Sequence, residues 1–140
     1  MKTKAEMPKT IHARQHEITE IFMTELDKHL LDLVEGRNDI MFEIRDIAAI
    51  MHIHPTHLTD TVKHATGHHP CVFFQDKIMV IVKRLLEQNE MPINEIATLL
   101  TYDPSNFTKF FKRFAHQTPK QYREQYLAKQ RMENTELVTI

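Results

Sequence analysis

One pattern occurs twice in this chain at a constant offset of 49 residues, and that repeat constrains the fold more than any other feature. Ile44, Asp46, Ile47 and Ala48 align with Ile93, Glu95, Ile96 and Ala97. Pro55, Thr56, Leu58 and Thr59 align with Pro104, Ser105, Phe107 and Thr108. Val62, Lys63, Pro70 and Phe73 then meet Phe111, Lys112, Pro119 and Tyr122. Twelve like-for-like pairs in 30 ungapped positions mark a supersecondary unit present in two copies. In each copy a short helix carries a small residue, Ala48 or Ala97, where a second helix must come close. The inward positions of that second helix fall ten and fourteen residues after the alanine: Leu58 and Val62, or Phe107 and Phe111. This is the arithmetic of a helix-turn-helix, whose second helix is presented to the DNA major groove.

A single copy reads equally well as an αα-hairpin used only for packing. Two copies favour DNA, because the segment joining them has a length that is meaningful there. A helix from Cys71 to Asn89 has 19 residues, about 28 Å at roughly 1.5 Å per residue. One turn of B-DNA is about 34 Å. A rod of this length can set two recognition helices into successive major grooves.

The remainder of the chain reads as helix. Residues 17–35 place Ile18, Ile21, Phe22, Leu26, Leu30, Leu33 and Val34 on one stripe, stopped by Gly36 as a C-terminal cap. A short helix starts near Glu43, with Ile44, Ile47, Ala48 and Met51 at helical spacing. His54-Pro55 and Asp103-Pro104 each place proline at a first helical position, after a poor cap (His54) and a good one (Asp103). The expectation is an all-α domain of about seven helices: two homeodomain-like helix-turn-helix subdomains joined by a long linker helix. Its divisions are a flexible arm (1–16), the first helix plus first motif (17–70), the linker (71–90), the second motif (91–130) and a flexible tail (131–140). The arm and tail are assigned from their lack of periodicity.

The two second helices differ in what they present. From 104 to 117, Phe107, Phe110, Phe111 and Phe114 are expected as the buried stripe. Ser105, Asn106, Thr108, Lys109, Lys112 and Arg113 are left facing out. Hydroxyl and amide groups reach base edges or phosphates, and Lys or Arg neutralise phosphate or contact guanine. A merely solvated face would mix in acids, and none occurs between Pro104 and Arg123. The first copy offers Thr56, His57, Thr59, Asp60, Lys63 and His64. Asp60 has the wrong sign for phosphate; it either accepts from a cytosine amino group or is tolerated near the interface.

The formal net charge of -1 averages over segments of opposite sign. From Pro104 to Arg131 there are seven basic residues against the single acid Glu124, whereas 17–35 has six acids and one Lys. A neutral protein with separated signs can bind DNA through its positive face.

Several classes are excluded or disfavoured. Gly36 and Gly67 are the only glycines, so there is no phosphate-cradling glycine loop. Cys71 alone cannot form an internal disulfide and fits a reducing compartment. Apolar runs are too short for a membrane span and no signal peptide opens the chain, so a cytoplasmic protein without membrane partners is expected. An enzyme is not expected: Cys71 has histidine neighbours but lacks a third orienting group. Six of the ten histidines (His52, His54, His57, His64, His68, His69) crowd beside Cys71. Their spacing crosses a helix-turn boundary rather than following the paired spacing of a zinc site, so no metal or cofactor is assigned. The competing function is a protein-interaction or metal-responsive helical module with a vestigial DNA face.

The most specific stretch runs Ile93-Asn94-Glu95-Ile96-Ala97, then Ser105-Asn106-Phe107-Thr108-Lys109-Phe110-Phe111-Lys112-Arg113, then Thr118-Pro119-Lys120-Gln121-Tyr122-Arg123. It resembles the AraC/XylS family of bacterial transcription factors, with the likeness covering about 43–123 and the preceding helix. The resemblance implies two helix-turn-helix motifs acting on double-stranded promoter DNA, with RNA polymerase as a further partner. By family position the base-facing residues are Thr56, Thr59 and Asp60 in the first motif, and Ser105, Thr108 and Lys109 in the second. Thr101-Tyr102 stands where Gly-Phe is usual, Asp60 where arginine is common, and Ile78 where the linker helix often has arginine. His116 matches Gly67 of the first copy, which predicts a left-handed backbone there and stabilisation by His116→Gly. About 40 residues precede the first motif, too few for a ligand-binding barrel. The expectation is therefore the stand-alone form, with no small-molecule effector domain.

Overall fold

The computed structural model describes residues 3–139, with side chains from 11 to 135. Among the described residues there are seven helices and no strand. They are α1 (Thr3–Val34), α2 (Ile44–Ile50), α3 (Pro55–Thr66), α4 (Pro70–Gln88), α5 (Ile93–Leu99), α6 (Pro104–Ala115) and α7 (Pro119–Thr139). The expected all-α fold is the observed one. The chain divides into two units within α4, one ending at Lys77 and the other beginning at Ile78.

The repeat holds at the level of the backbone. Shifting α2 and α3 by 49 residues reproduces the bounds of α5 and α6. In both turns the same hydrogen bond closes the corner: Ile53 N–H donates to the Ala48 carbonyl at 3.1 Å, and Tyr102 N–H to the Ala97 carbonyl at 2.8 Å. Ala48 and Ala97 are fully buried, as the close approach of the second helix requires.

In the first unit, Phe22, Leu26, Leu30 and Leu33 of α1 meet Ile47 and Ala48 of α2 and Leu58 and Val62 of α3, all essentially without exposure. Burying a side chain of this size stabilises by about 1.5–3 kcal/mol, so α1 is integral to the first motif. In the second unit, Ile78, Met79, Val82 and Leu86 of α4 accompany Ile96, Ala97 and Leu100, with Phe107 and Phe111 of α6 fully buried. Ile78 belongs to this core at 3% exposure, which explains an apolar residue where the family often has arginine.

Four expectations are corrected. Residues 3–16, expected as a frayed arm, continue α1 as helix, and 131–139 continue α7. A helix needs no apolar stripe where good helix formers and i,i+3 or i,i+4 pairs support it. Arg14–Glu17 and His16–Glu20 supply such pairs. His54 does cap α3, because its Nδ1 accepts the Thr56 N–H at 3.1 Å and so mimics a short carboxylate. The linker spans Pro70–Gln88 rather than 71–90, because proline suits a first helical turn and Asn89 leaves the helix with φ 55°. Finally, Phe110 and Phe114 are not buried with Phe107 and Phe111: Phe110 is half-buried and Phe114 is exposed. They form a surface stack with Tyr102, with centroids 5.3 Å apart for Tyr102–Phe110 and 5.1 Å for Phe110–Phe114.

Candidate nucleic-acid interface

α6 is built to present one face. Asp103 caps it by accepting the Ser105 and Asn106 N–H groups at 3.3 and 3.2 Å, and Pro104 presets its first turn. Phe107 and Phe111, one helical turn apart, anchor the inner face. The opposite side exposes Ser105, Asn106, Lys109, Lys112 and Arg113. Thr108 is half-buried, and its hydroxyl donates to the Pro104 carbonyl at 3.1 Å. Its remaining capacity toward a base is therefore as an acceptor or a methyl contact. The Arg113 guanidinium lies over the Phe114 ring at 5.0 Å, which restrains it beside the lysines.

α7 supports this arrangement through the Thr-Pro-x-x-Tyr-Arg segment. Arg123 Nε donates to the Leu86 carbonyl at 2.9 Å, and its Nη2 to the Met91 and Leu85 carbonyls at 2.7 and 3.4 Å. One guanidinium thus ties two carbonyls of the last turn of α4 to the Met91 carbonyl in the connection that follows. The Tyr122 hydroxyl donates to the Glu87 carboxylate at 2.5 Å, and its ring meets Phe111 edge-on at 5.6 Å. Burial first, and then the Glu87 carboxylate, push the Tyr122 hydroxyl up to about 12. It therefore remains a donor at any physiological pH.

The same face of α3 carries Thr56, Asp60 and Lys63 exposed, with Thr59 half-buried like its counterpart Thr108. Matched by the repeat, Asp60 stands where α6 has Lys109, Lys63 where it has Lys112, and His64 where it has Arg113. Three fixed cations on α6 therefore correspond, position by position, to one anion, one cation and one histidine on α3.

A cross-brace holds the first unit from behind. His29 of α1 is 4% exposed, and its Nε2 accepts the Phe42 N–H at 2.9 Å. Its ring stacks on Phe42 at 4.0 Å, which fastens the connection between α1 and α2. Burial pulls the imidazole below its ordinary value, opposed by Asp32 and Asp46. The structure shows this brace where periodicity could not, because it joins residues 13 apart across a turn.

Strain is concentrated at the ends of these short helices. His116 adopts φ 60°, as its match to Gly67 (φ 81°) predicts. The sequence did not reveal the companion pair, His52 at φ 58° and Thr101 at φ 66°, which closes the two inner turns. For a β-branched threonine this is the costlier position. The signal was present in the family's usual glycine at Thr101.

Among the described residues, no three His, Cys, Asp or Glu side chains come together to hold a metal ion. No described helix is long and apolar enough to cross a membrane.

Two capped second helices on one repeated scaffold, one of them with an outer face whose charges are all cationic, define a double helix-turn-helix protein. A family model for a helix-turn-helix domain of the AraC type matches residues 47–125, more than half of the chain. The chain belongs to this family of DNA-binding transcription regulators. Among solved structures it is similar to the C-terminal domain of AraT, a response regulator from Geobacillus stearothermophilus, with TM-score 0.67 and 24% identity over 77% of this chain and 84% of that one. It is also similar to a DNA-binding transcriptional dual regulator from Escherichia coli K-12, with TM-score 0.65 and 15% identity over 79% and 93%. The DNA-binding domain of the global transcriptional factor AdpA, in complex with a target DNA, gives TM-score 0.62 and 20% identity over 76% and 94%. These likenesses show the fold. No curated protein matches at the level of sequence.

Proposed function

We propose that the chain regulates transcription in the cytoplasm by sequence-specific binding of double-stranded promoter DNA, with α3 and α6 entering successive major grooves and RNA polymerase as a further partner. The observation that carries this reading is the outer face of α6. Ser105, Asn106, Lys109, Lys112 and Arg113 are exposed together while Phe107 and Phe111 lock the helix from behind. Lys112 and Arg113 are suited to phosphate, and Ser105, Asn106, Thr108 and Lys109 to base edges. In the first motif Thr56, Thr59 and Asp60 are the base-facing set and Lys63 the phosphate contact. The successive-groove placement is supported by the length of the 19-residue α4.

The test is retention on DNA by Lys109→Glu with Lys112→Glu. Loss of binding at low salt is expected, with the log–log salt slope reduced by about 0.9 for each phosphate contact removed. Unchanged binding by the double variant would overturn the assignment of α6. Selection from a random duplex pool supplies the binding sequence, and the two-groove arrangement predicts two half-sites about one helical turn apart.

A further inference from the structure

We infer that the chain associates with itself, the outer face of α1 in one copy docking on the aromatic cluster Tyr102–Phe110–Phe114 of a second copy. The association involves protein alone and stands apart from the DNA-binding function proposed above.

The receiving surface lies on the flank of α6, beside the buried Phe107 and Phe111. Tyr102 stacks on Phe110 with centroids 5.3 Å apart, and Phe110 meets Phe114, one helical turn on, at 5.1 Å. Tyr102 and Phe110 are half-buried, and Phe114 is exposed. The Arg113 guanidinium lies over the Phe114 ring at 5.0 Å. Lys109, Lys112 and His116 are exposed on the same helix and its cap, and no acid occurs between Pro104 and Arg123. The rings therefore carry a cationic rim.

The scaffold does not require these rings. At the offset of 49, the first motif has Ile53, Thr61 and Ala65 in their places. There the position of Phe110 is covered: Thr61 is 4% exposed, and α1 is the main helix packed on α3. The elements packed on α6 are α5 and α7, and they leave Phe114 open. Aromatic side chains clustered at the surface of a fold that forms without them mark an interaction site.

The complementary surface is on α1. Its inward stripe, Ile18, Phe22, Leu26 and Leu30, is occupied in the core of the first unit. On the other side Ile21, Thr24, Lys28 and Leu31 are spaced three, four and three residues apart, a continuous row along the helix. All four are exposed, Ile21 at 43% and Leu31 at 51%. Glu17, Glu20 and Asp27 are exposed beside the row, and residues 17–35 carry six acids against one Lys. Glu17 pairs with Arg14, Glu20 with His16 and Asp27 with Lys77, all at the surface, where such pairs hold weakly and exchange readily. An anionic helix face bearing two apolar side chains thus matches three rings with a cationic rim. The sign of that rim selects α1 as the occupant, because the other long exposed helix, α7, is itself mainly basic up to Arg131.

The two surfaces differ, so the contact is heterologous and each copy offers both halves of it. One helix face on one ring cluster belongs to the small, weak class of interfaces, under about 1,200 Å².

Sedimentation equilibrium of the full chain, free of nucleic acid, tests this. The mass should rise above that of one chain as concentration approaches about 1 mM, the range of weak contacts. Raising salt from about 0.1 M to about 1 M, which shortens the screening length from about 10 Å to about 3 Å, should weaken association about tenfold. Ile21→Lys with Leu31→Lys, and separately Phe114→Glu, should each hold the chain at the mass of a monomer, with helix content unchanged by circular dichroism. Mixed in equal amounts, these two proteins should associate again, because the first keeps its rings and the second keeps its α1. Wild-type protein that stays monomeric overturns the proposal, as does association that persists in either variant or is unaffected by salt. A mixture of the variants that remains monomeric overturns the pairing of these two surfaces. Each of these outcomes leaves the DNA-binding reading untouched, since that reading is judged by retention on duplex.

Discussion

The two halves of this molecule share one scaffold and differ in what they mount on it. Helices α2 and α3 superimpose in sequence position on α5 and α6, with the same turn hydrogen bond, the same buried alanine and the same left-handed end residues. Their recognition faces do not match: at the offset of 49, Lys109, Lys112 and Arg113 correspond to Asp60, Lys63 and His64. Their supports differ too. Arg123, which caps the end of α4 in the second unit, is matched at an offset of 49 by Phe74, buried at 8% exposure and edge-on to His29 at 6.3 Å in the first. What the two motifs hold in common is the buried isoleucine and alanine, the turn and two inward side chains. Capping residue, brace and outer charges differ between them.

The largest expected difference is in the cores. Phe107→Ala should destabilise the second unit by about 3–5 kcal/mol, and Leu58→Ala the first by about 2–5 kcal/mol. Urea unfolding followed by circular dichroism measures both, and equal small losses would show that neither helix depends on its anchor.

Exchanging the charges at the matched position tests the functional contrast. Lys109→Asp should weaken binding to mixed-sequence duplex by on the order of a hundredfold, while Asp60→Lys should strengthen it by about tenfold, as phosphate neutralisation requires. Should Asp60→Lys instead lose affinity for the selected sequence, Asp60 is accepting from a base such as cytosine.

Next in size is the carbonyl cap. Arg123→Leu leaves part-buried acceptors without this donor and should cost about 1–3 kcal/mol, whereas Phe74→Leu, at the matched position, should cost under about 1.5 kcal/mol. Comparable losses would mean that Arg123 contributes packing rather than hydrogen bonds.

The brace at His29 gives the first unit an acid sensitivity. Its imidazole is held below its ordinary value in the fold, so as pH drops below about 6.5 the unfolded chain takes up the proton first and stability declines. His29→Gln keeps an acceptor for the Phe42 N–H without a titrating group. Its melting temperature should vary less than that of the wild type between pH 7 and pH 5, and an unaltered pH profile would remove His29 from this role.

The smallest effects are at the strained turns. Thr101→Gly and His116→Gly should each stabilise by about 1 kcal/mol, with the threonine change the larger. A fall in melting temperature for either would mean that the side chain contributes contacts outweighing the strain.

Much of this was legible in the sequence. The seven helices, the two motifs and the polar face of α6 follow from apolar spacing and from a repeat that needs no alignment gap. These are properties of residues near one another in the chain. His116 could be assigned a left-handed backbone because its repeat partner is glycine, whereas the pair formed by His52 and Thr101 contains no glycine to reveal it. His54 reads as a poor cap by residue type alone, and only the Thr56 N–H set against its Nδ1 shows that it caps.

What only the tertiary structure decided has a common physical cause. Four phenylalanines on α6 share a helical pattern, but the scaffold has room to bury only Phe107 and Phe111, leaving Phe110 and Phe114 to stack with Tyr102 on the surface. The grip of Arg123 on the end of α4 and of His29 on Phe42 depends on which carbonyl or N–H is left open when helices meet. Local sequence determines where helices begin and which face is apolar, since propensity, capping and periodicity act over a few residues. Which apolar groups find space, and which orphaned polar groups find partners, is settled only by packing between segments distant in the chain.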